Sequence, residues 1–203
     1  MANPVLLIPG FTDTTEILKH LADHLWQMGF HVHPFAPRPS DGTVPLEDLA
    51  AQLQAFVDLT FGPTTPIDVV AFSMGGLISR WYVQKLGGGE RVQRLITLAT
   101  PHNGTVYAYL PGILPERLPI SLPGLRQMQP DSTFLAELNR DTTALSQINF
   151  SSLWTPLDLT IVPSNSSIMD VAHNIRLPLA HHWAWLTHPT AFEVIVGELR
   201  REA

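Results

Sequence analysis

The stretch at residues 67–86, IDVVAFSMGGLISRWYVQKL, changes from one type of secondary structure to another with no room for a loop between them. Its first six residues are apolar or β-branched apart from Asp68, which is typical of a buried strand. From Leu77 onward, apolar residues recur at helical spacing. Ser73 lies at the junction and is followed closely by a pair of glycines. The pattern predicts a sharp strand-to-helix turn with a serine at its corner.

Strand and helix patterns alternate along the rest of the chain. Strands are predicted at 5–8, 30–35, 67–72, 91–99, 148–154 and 172–177, and helices at 14–28, 45–61, 75–86, 131–139 and 189–200. This alternation predicts the α/β class, with a mostly parallel sheet covered by helices on both faces. A chain of 203 residues suits one domain, and we find neither an internal repeat nor a linker. We therefore predict a single α/β domain over residues 1–203.

The composition excludes several classes of function. Because the chain has no cysteine, disulfides and Cys-based metal sites are excluded. A net charge of −6 and the lack of any Lys/Arg run give no support for a nucleic-acid partner. No apolar run is long enough for an integral membrane segment, and residues 1–10 lack the pattern of a signal peptide. We expect a cytoplasmic protein or a secreted one whose leader is absent from this sequence, and the oligomeric state stays open.

Residues 71–75, Ala-Phe-Ser-Met-Gly, match the nucleophile elbow of serine hydrolases, with Ala in the first small position. An elbow needs small residues two before and two after the serine, because strand and helix pack closely there. The turn strains the serine backbone and exposes its hydroxyl, while the Met74 amide lies at a helix N-terminus, where it can stabilise a negative oxygen. The alternative is an ordinary turn in which Ser73 caps the helix. The strand before it and the helix after it favour the elbow.

A nucleophilic serine needs a histidine base and an acid that orients the base, and in this arrangement they follow in the order Ser, acid, His. Asp158 follows the predicted strand 148–154, at the carboxyl end where functional side chains gather, although a turn-forming aspartate is the alternative. Asp170 precedes the next strand and therefore lies at the opposite end. Three histidines follow the last predicted strand: His181, His182 and His188. The residues alone do not choose between the adjacent pair.

Two further segments are candidates for the same site. The loop after the first predicted strand, Leu-Ile-Pro-Gly-Phe, offers the Phe11 amide as a second donor to an oxyanion, although it also reads as a simple turn. Residues 101–130 form a long irregular insertion with more apolar side chains than a solvated loop needs. We expect this insertion to border an acyl pocket lined by Phe72, Leu110 and Leu114, with core packing as the alternative.

Five stretches of the chain resemble α/β-hydrolase lipases and esterases: VLLIPGF, DVVAFSMGGLISRWY, LITLATPHNGT, SLWTPLDLTIVP and HHWAWLTHPTAFEVI. The chain is similar to the small bacterial lipases that use an Ala-x-Ser-x-Gly elbow, and the resemblance covers nearly its whole length. It implies an α/β-hydrolase fold with a minimal cap. It further implies Ser73 as nucleophile, Asp158 as acid and His182 as base, with the Phe11 and Met74 amides as the oxyanion hole.

Two positions depart from the family pattern. Pro9 stands where the family usually has His before the first Gly of the oxyanion loop. Phe72 stands before the nucleophile, where the small lipases often have His. Both departures bear on the acyl pocket and the range of substrates rather than on the mechanism.

The resemblance implies a carboxylic-ester hydrolase of the lipase or esterase type, which acts through an acyl-enzyme on Ser73. The expected partner is an ester or lipid small molecule, and neither a cofactor nor a metal is expected. Because only 15% of the residues are charged, contact with a lipid interface also stays open. Two alternatives remain: a thioesterase or acyltransferase with the same triad, and a non-catalytic binding protein of the same fold.

Overall fold

A computed structural model describes residues 3–113 and 121–202 of the chain. Its six strands are β1 (Val5–Ile8), β2 (Val32–Pro34), β3 (Ile67–Phe72), β4 (Val92–Leu98), β5 (Asn149–Trp154) and β6 (His173–Arg176). They form one sheet in the order β2-β1-β3-β4-β5-β6, in which every neighbouring pair is parallel. The predicted α/β class with a parallel sheet is confirmed.

Seven α-helices accompany the described part of the sheet: α1 (Lys19–Gln27), α2 (Leu46–Phe61), α3 (Met74–Lys85), α4 (Pro123–Arg126), α5 (Thr133–Arg140), α6 (Thr143–Ser146) and α7 (Pro189–Arg200). The predicted helix at 14–28 begins as the 3-10 helix Thr15–Leu18 and becomes α-helical at Lys19. Helices α4 and α6 were not predicted, because a single turn is too short to show a periodic pattern. Within the described ranges, no helix has both the length and the apolar character of a bilayer span.

The helices cover both faces of the sheet, as predicted, and each face has its own hydrophobic core. Along β3, Val69 and Ala71 join the core that contains the apolar residues of α2 and α3. Val70 and Phe72 join the core that contains those of α1 and α7. This division follows from the strand geometry, in which successive side chains point to opposite faces. It also explains why β3 is buried at all six positions and is apolar except at Asp68.

The strand register aligns the carboxyl ends of the central strands. Ile8 at the end of β1 pairs with Ala71 of β3, and Phe72 at the end of β3 pairs with Leu98 of β4. Leu98 in turn pairs with Leu153 of β5. The loops that follow these four strands therefore leave the sheet at one edge, where the side chains of different segments can meet.

Candidate active site

Ser73 lies directly after β3 and precedes the first residue of α3, in a conformation that few residues with a side chain adopt. Its φ is 53° and its ψ is −122°. Two bonds from the end of β4 hold this backbone: the Ser73 amide donates to the Leu98 carbonyl at 2.8 Å, and the Thr100 hydroxyl donates to the Ser73 carbonyl at 3.0 Å. The serine at the corner is therefore held by the neighbouring strand as well as by its own turn.

Positive φ angles at non-glycine residues are concentrated at this edge of the sheet. Among the described residues they occur at Thr12 (60°), Ser73 (53°) and Ala99 (47°), which follow β1, β3 and β4. Such conformations cost roughly 1–3 kcal/mol each, and they cluster where a fold holds functional groups in a fixed geometry. The strained residues thus lie at the edge of the sheet where the sequence pattern predicts the functional side chains.

The glycine pair after Ser73 allows α3 to begin in close contact with two neighbouring loops. A Cβ on Gly75 would lie 2.5 Å from the Pro9 carbonyl oxygen and 2.9 Å from that of Ile8. A Cβ on Gly76 would overlap the side chain of Thr100. Glycine at position 75 therefore lets the start of α3 approach the loop after β1.

Two backbone amides near Ser73 are available as hydrogen-bond donors. Met74 is the first residue of α3, and a first helical residue has no acceptor for its amide within the helix. In the described part of the chain, no residue accepts a backbone hydrogen bond from Phe11 either. Phe11 and Ser73 line the same cavity. The two amides predicted from the sequence thus flank the serine, where they could stabilise a negatively charged oxygen.

Asp158 and His182 form a buried pair in the loops after β5 and β6. Nδ1 of His182 and Oδ2 of Asp158 are 2.7 Å apart, and both side chains are at most 3% exposed. The other carboxylate oxygen, Oδ1, accepts hydrogen bonds from the amides of Thr160 at 2.8 Å and Ile161 at 2.9 Å. The carboxylate is therefore held by its own loop while its free oxygen orients the imidazole.

Thr155 ties together the two loops that carry this pair. Its hydroxyl donates to the carbonyl of Leu179 at 2.7 Å and accepts from the amide of Leu157 at 3.2 Å. The loop of Asp158 is thereby joined to the loop that leads to His182. A lone threonine in a Thr-Pro-Leu-Asp turn gives no sequence signal for this role.

Of the three candidate histidines, the structure brings His182 to the acid. His181 is exposed, whereas His182 is buried. His188 is also exposed and caps α7, where its Nδ1 accepts a hydrogen bond from the Thr190 amide at 3.2 Å. The Phe72 ring packs against the His182 ring, with 4.6 Å between centroids, so the imidazole lies over the residue that precedes Ser73.

A cavity of about 320 Å³ opens beside Ser73. Its lining is mostly apolar and consists of Phe11, Ser73, Pro101, Thr105, Tyr107, Ala108, Leu122, Leu125, Met128, Thr160 and Ile161. Most of these residues belong to the insertion that we expected to border an acyl pocket. Phe72, expected in the lining, packs under His182 instead, while Leu110 and Leu114 fall outside the residues whose side chains are described.

Asp13 is a second acidic residue at this site, and the sequence analysis did not identify it. Its Oδ2 accepts a hydrogen bond from the Gly10 amide at 3.2 Å. Burial raises the pKa of the Asp13 carboxyl, while the Gly10 amide and the nearby His182 lower it. A single Asp in a polar loop has no sequence signal that separates it from an ordinary turn residue.

Two other features of the described part of the chain differ from this site. A cavity of about 440 Å³ lies at the opposite edge of the sheet, between the starts of β3 and β4, and its lining includes Asn3, Asp68 and Arg94. It contains no serine or histidine. Within residues 3–113 and 121–202, no three His, Asp or Glu side chains are grouped so that they could hold a metal ion.

Comparison with known proteins confirms the α/β-hydrolase fold that the sequence predicts. A family model described as the alpha/beta hydrolase fold matches residues 3–160. The mature form of a Bacillus licheniformis lipase superposes with a TM-score of 0.75 at 17% identity, covering 98% of this chain and 92% of that one. Aspergillus fumigatus lipase B gives a TM-score of 0.80 at 17% identity, covering 100% of this chain and 53% of that one.

A similar structure whose protein is described by a different activity is a putative non-heme bromoperoxidase from Mycobacterium tuberculosis. Its TM-score is 0.68 at 18% identity, covering 98% of this chain and 92% of that one. No curated protein matches the chain by sequence. At these identities the structural neighbours show the shared fold, and the chemistry has to be argued from the site itself.

Proposed function

Because this chain belongs to the alpha/beta hydrolase fold family, we propose that it is a serine hydrolase that cleaves carboxylic esters through an acyl-enzyme on Ser73. One observation carries the proposal: a buried His182–Asp158 pair, 2.7 Å apart, lies over Phe72 beside a serine in a strained strand-to-helix turn. This combination provides a nucleophile, a base and an orienting acid in the chain order of the family.

The reaction is an acyl transfer in two halves. In the first half, His182 takes the proton of the Ser73 hydroxyl while the serine oxygen attacks the ester carbonyl. The Phe11 and Met74 amides hold the negative oxygen of the tetrahedral intermediate, and His182 returns the proton to the departing alcohol. In the second half, water attacks the acyl-enzyme by the same route and releases the acid. Asp158 keeps the imidazole oriented and favours its protonated form in both halves.

The cavity beside Ser73 supports an apolar acyl chain as the group that the enzyme binds. Its walls offer aliphatic and aromatic contacts, with Thr105 and Thr160 as its polar residues besides Ser73. Exposed apolar side chains also occur on the segments around this edge of the sheet: Val106, Tyr107, Tyr109, Leu157, Leu159 and Trp183. These surfaces favour esters with an apolar acyl group, and they are consistent with contact at a lipid interface.

A fluorophosphonate probe tests the proposed nucleophile directly. We expect stoichiometric labelling of the folded protein and none of the Ser73→Ala variant. Hydrolysis of matched oxygen esters and thioesters then separates an esterase from a thioesterase, and alcohol added as a competing acceptor detects acyl transfer. A folded wild-type protein that takes up no probe would support the non-catalytic binding protein instead.

Leu122→Trp should shorten the preferred acyl chain. Leu122 is half-buried and lines the cavity, so a larger side chain can enter the cavity without overpacking the core. We expect kcat/KM for p-nitrophenyl octanoate to fall about 10-fold or more, and that for the acetate to change less than about 3-fold. Leu59→Trp on the exposed face of α2 is the matched control. An equal fall for both esters would show that the cavity does not receive the acyl chain.

Acidification should inactivate the enzyme. A protonated His182 has no lone pair to accept the serine proton, so kcat/KM should fall roughly 10-fold per pH unit on the acid side. The measurement is kcat/KM for a soluble ester between pH 5 and 9, with near-UV circular dichroism as a check that the fold is kept. A rate that stays constant over this range is incompatible with a histidine base.

A further inference from the structure

Asp13 closes a tight turn in the loop that carries the proposed oxyanion donor. Its carboxylate accepts a hydrogen bond from the Gly10 amide at 3.2 Å, and its own amide donates to the Gly10 carbonyl at 3.3 Å. Both backbone polar groups of Gly10 are therefore bound by one residue. Phe11 and Thr12 lie between them, inside the turn.

The same carboxylate lies beside the proposed nucleophile. A Cβ placed on Gly10 would be 3.0 Å from Oδ2 of Asp13 and also 3.0 Å from Cβ of Ser73. It would be 3.3 Å from the ring of Phe72, which packs against His182. Burial raises the pKa of the Asp13 carboxyl, and the nearby His182 partly offsets this increase. A second acid thus lies on the Gly10 side of the site, apart from the Asp158 loop.

The geometry of the loop explains why such an anchor is needed. The peptide that carries the Phe11 amide is oriented by the ψ of Gly10, and glycine restricts that angle less than any other residue does. The next residue, Thr12, has a φ of 60°, which its own side chain disfavours. Ser40 holds the loop from outside. Its carbonyl accepts a hydrogen bond from the Thr12 amide at 2.8 Å, and its hydroxyl donates to the Asp13 carbonyl at 3.3 Å.

We propose that Asp13 is a positioning residue: its carboxylate fixes Gly10 and thereby aims the Phe11 amide at the oxyanion that forms on attack by Ser73. This inference rests on the proposed ester hydrolysis.

Asp13→Ala and Asp13→Asn test the positioning role of the carboxylate. Alanine removes both the acceptor and the charge, so we expect kcat to fall about 10–100-fold with little change in KM. Asparagine keeps an oxygen that can accept from Gly10, so kcat should stay within about 5-fold of wild type. Asp23→Asn, at an exposed site with the same change in net charge as Asp13→Asn, should leave kcat and KM unchanged.

The outcomes are distinguishable from one another and from a failure of the proposed function. Rescue of kcat by Asn but not by Ala, with KM and Tm unchanged, supports the positioning role. Wild-type kcat in both variants overturns it. An equal loss of kcat in both variants with an equally lowered Tm also overturns it, because that result indicates that the turn has only a structural role. Ser73→Ala is assayed in parallel: if it retains activity, the proposed hydrolase mechanism fails, whatever the Asp13 variants show.

Discussion

Ser73→Ala is expected to lower kcat for ester hydrolysis about 10⁵-fold or more, because members of a triad act as one unit and loss of the nucleophile stops the covalent route. The fold should be unaffected. The Ser73 side chain makes no capping hydrogen bond to α3, and alanine keeps the Cβ that the strained backbone already accommodates. We expect the free energy of unfolding to change by less than about 1 kcal/mol.

The measurement combines ester turnover, fluorophosphonate labelling and a denaturant titration of the same preparation. Ser146→Ala, an exposed serine at the end of α6, serves as the matched control and should retain full activity and labelling. Turnover within about 10-fold of wild type in Ser73→Ala would show that Ser73 is not the nucleophile. A large loss of stability in that variant would instead assign Ser73 a structural part in the turn.

His182→Ala should be nearly as inactive as Ser73→Ala, whereas His181→Ala and His188→Ala should keep most of the activity. His182 is the histidine that contacts Asp158, and its removal leaves a buried carboxylate oxygen without that partner. We therefore also expect a loss of about 1–3 kcal/mol in the free energy of unfolding. His181 is exposed, so its replacement should change neither quantity measurably.

His188→Ala is the sharper of the two controls, because it should affect stability and not catalysis. Its ring accepts a hydrogen bond at the start of α7, and loss of such a cap costs roughly 0.5–2 kcal/mol. Steady-state kinetics and unfolding curves on all three variants separate the roles. An inactive His181→Ala or His188→Ala beside an active His182→Ala would refute the assignment of the base.

The part of this site that could be predicted from the sequence is the part that is local. A buried strand, a serine, a glycine pair and a helix follow one another within residues 67–86, so their geometry is fixed by neighbours in the chain. The same holds for the parallel sheet, because alternation of strand and helix leaves few topologies. The strand order and the register, which align the loop ends, are tertiary properties that follow from packing.

The rest of the site depends on contacts between distant residues. The choice of His182 over its neighbour came from family resemblance, and in the structure it depends on a contact with Asp158, 24 residues away. Phe72 was expected to line the pocket because it adjoins the nucleophile, but its strand position turns it toward His182. Asp13 was missed because its partner atoms, the Gly10 amide and the nearby imidazole, are visible only once the loop is folded.

Most of the cavity wall comes from a part of the chain that carries none of the proposed reacting groups. Pro101 to Ala108 and Leu122 to Met128 lie close together in sequence, between the nucleophile strand and the acid loop. Several hydrogen bonds join the first of these stretches to the acid loop. The Thr105 hydroxyl donates to the Thr160 carbonyl at 2.9 Å and accepts from the Val162 amide at 3.0 Å, and the Val106 amide donates to the Val162 carbonyl at 2.9 Å. A substitution in this segment that keeps these hydrogen bonds would change the cavity wall without moving the acid loop. On the proposed mechanism, the choice of acyl group can therefore change while Ser73, Asp158 and His182 stay in place.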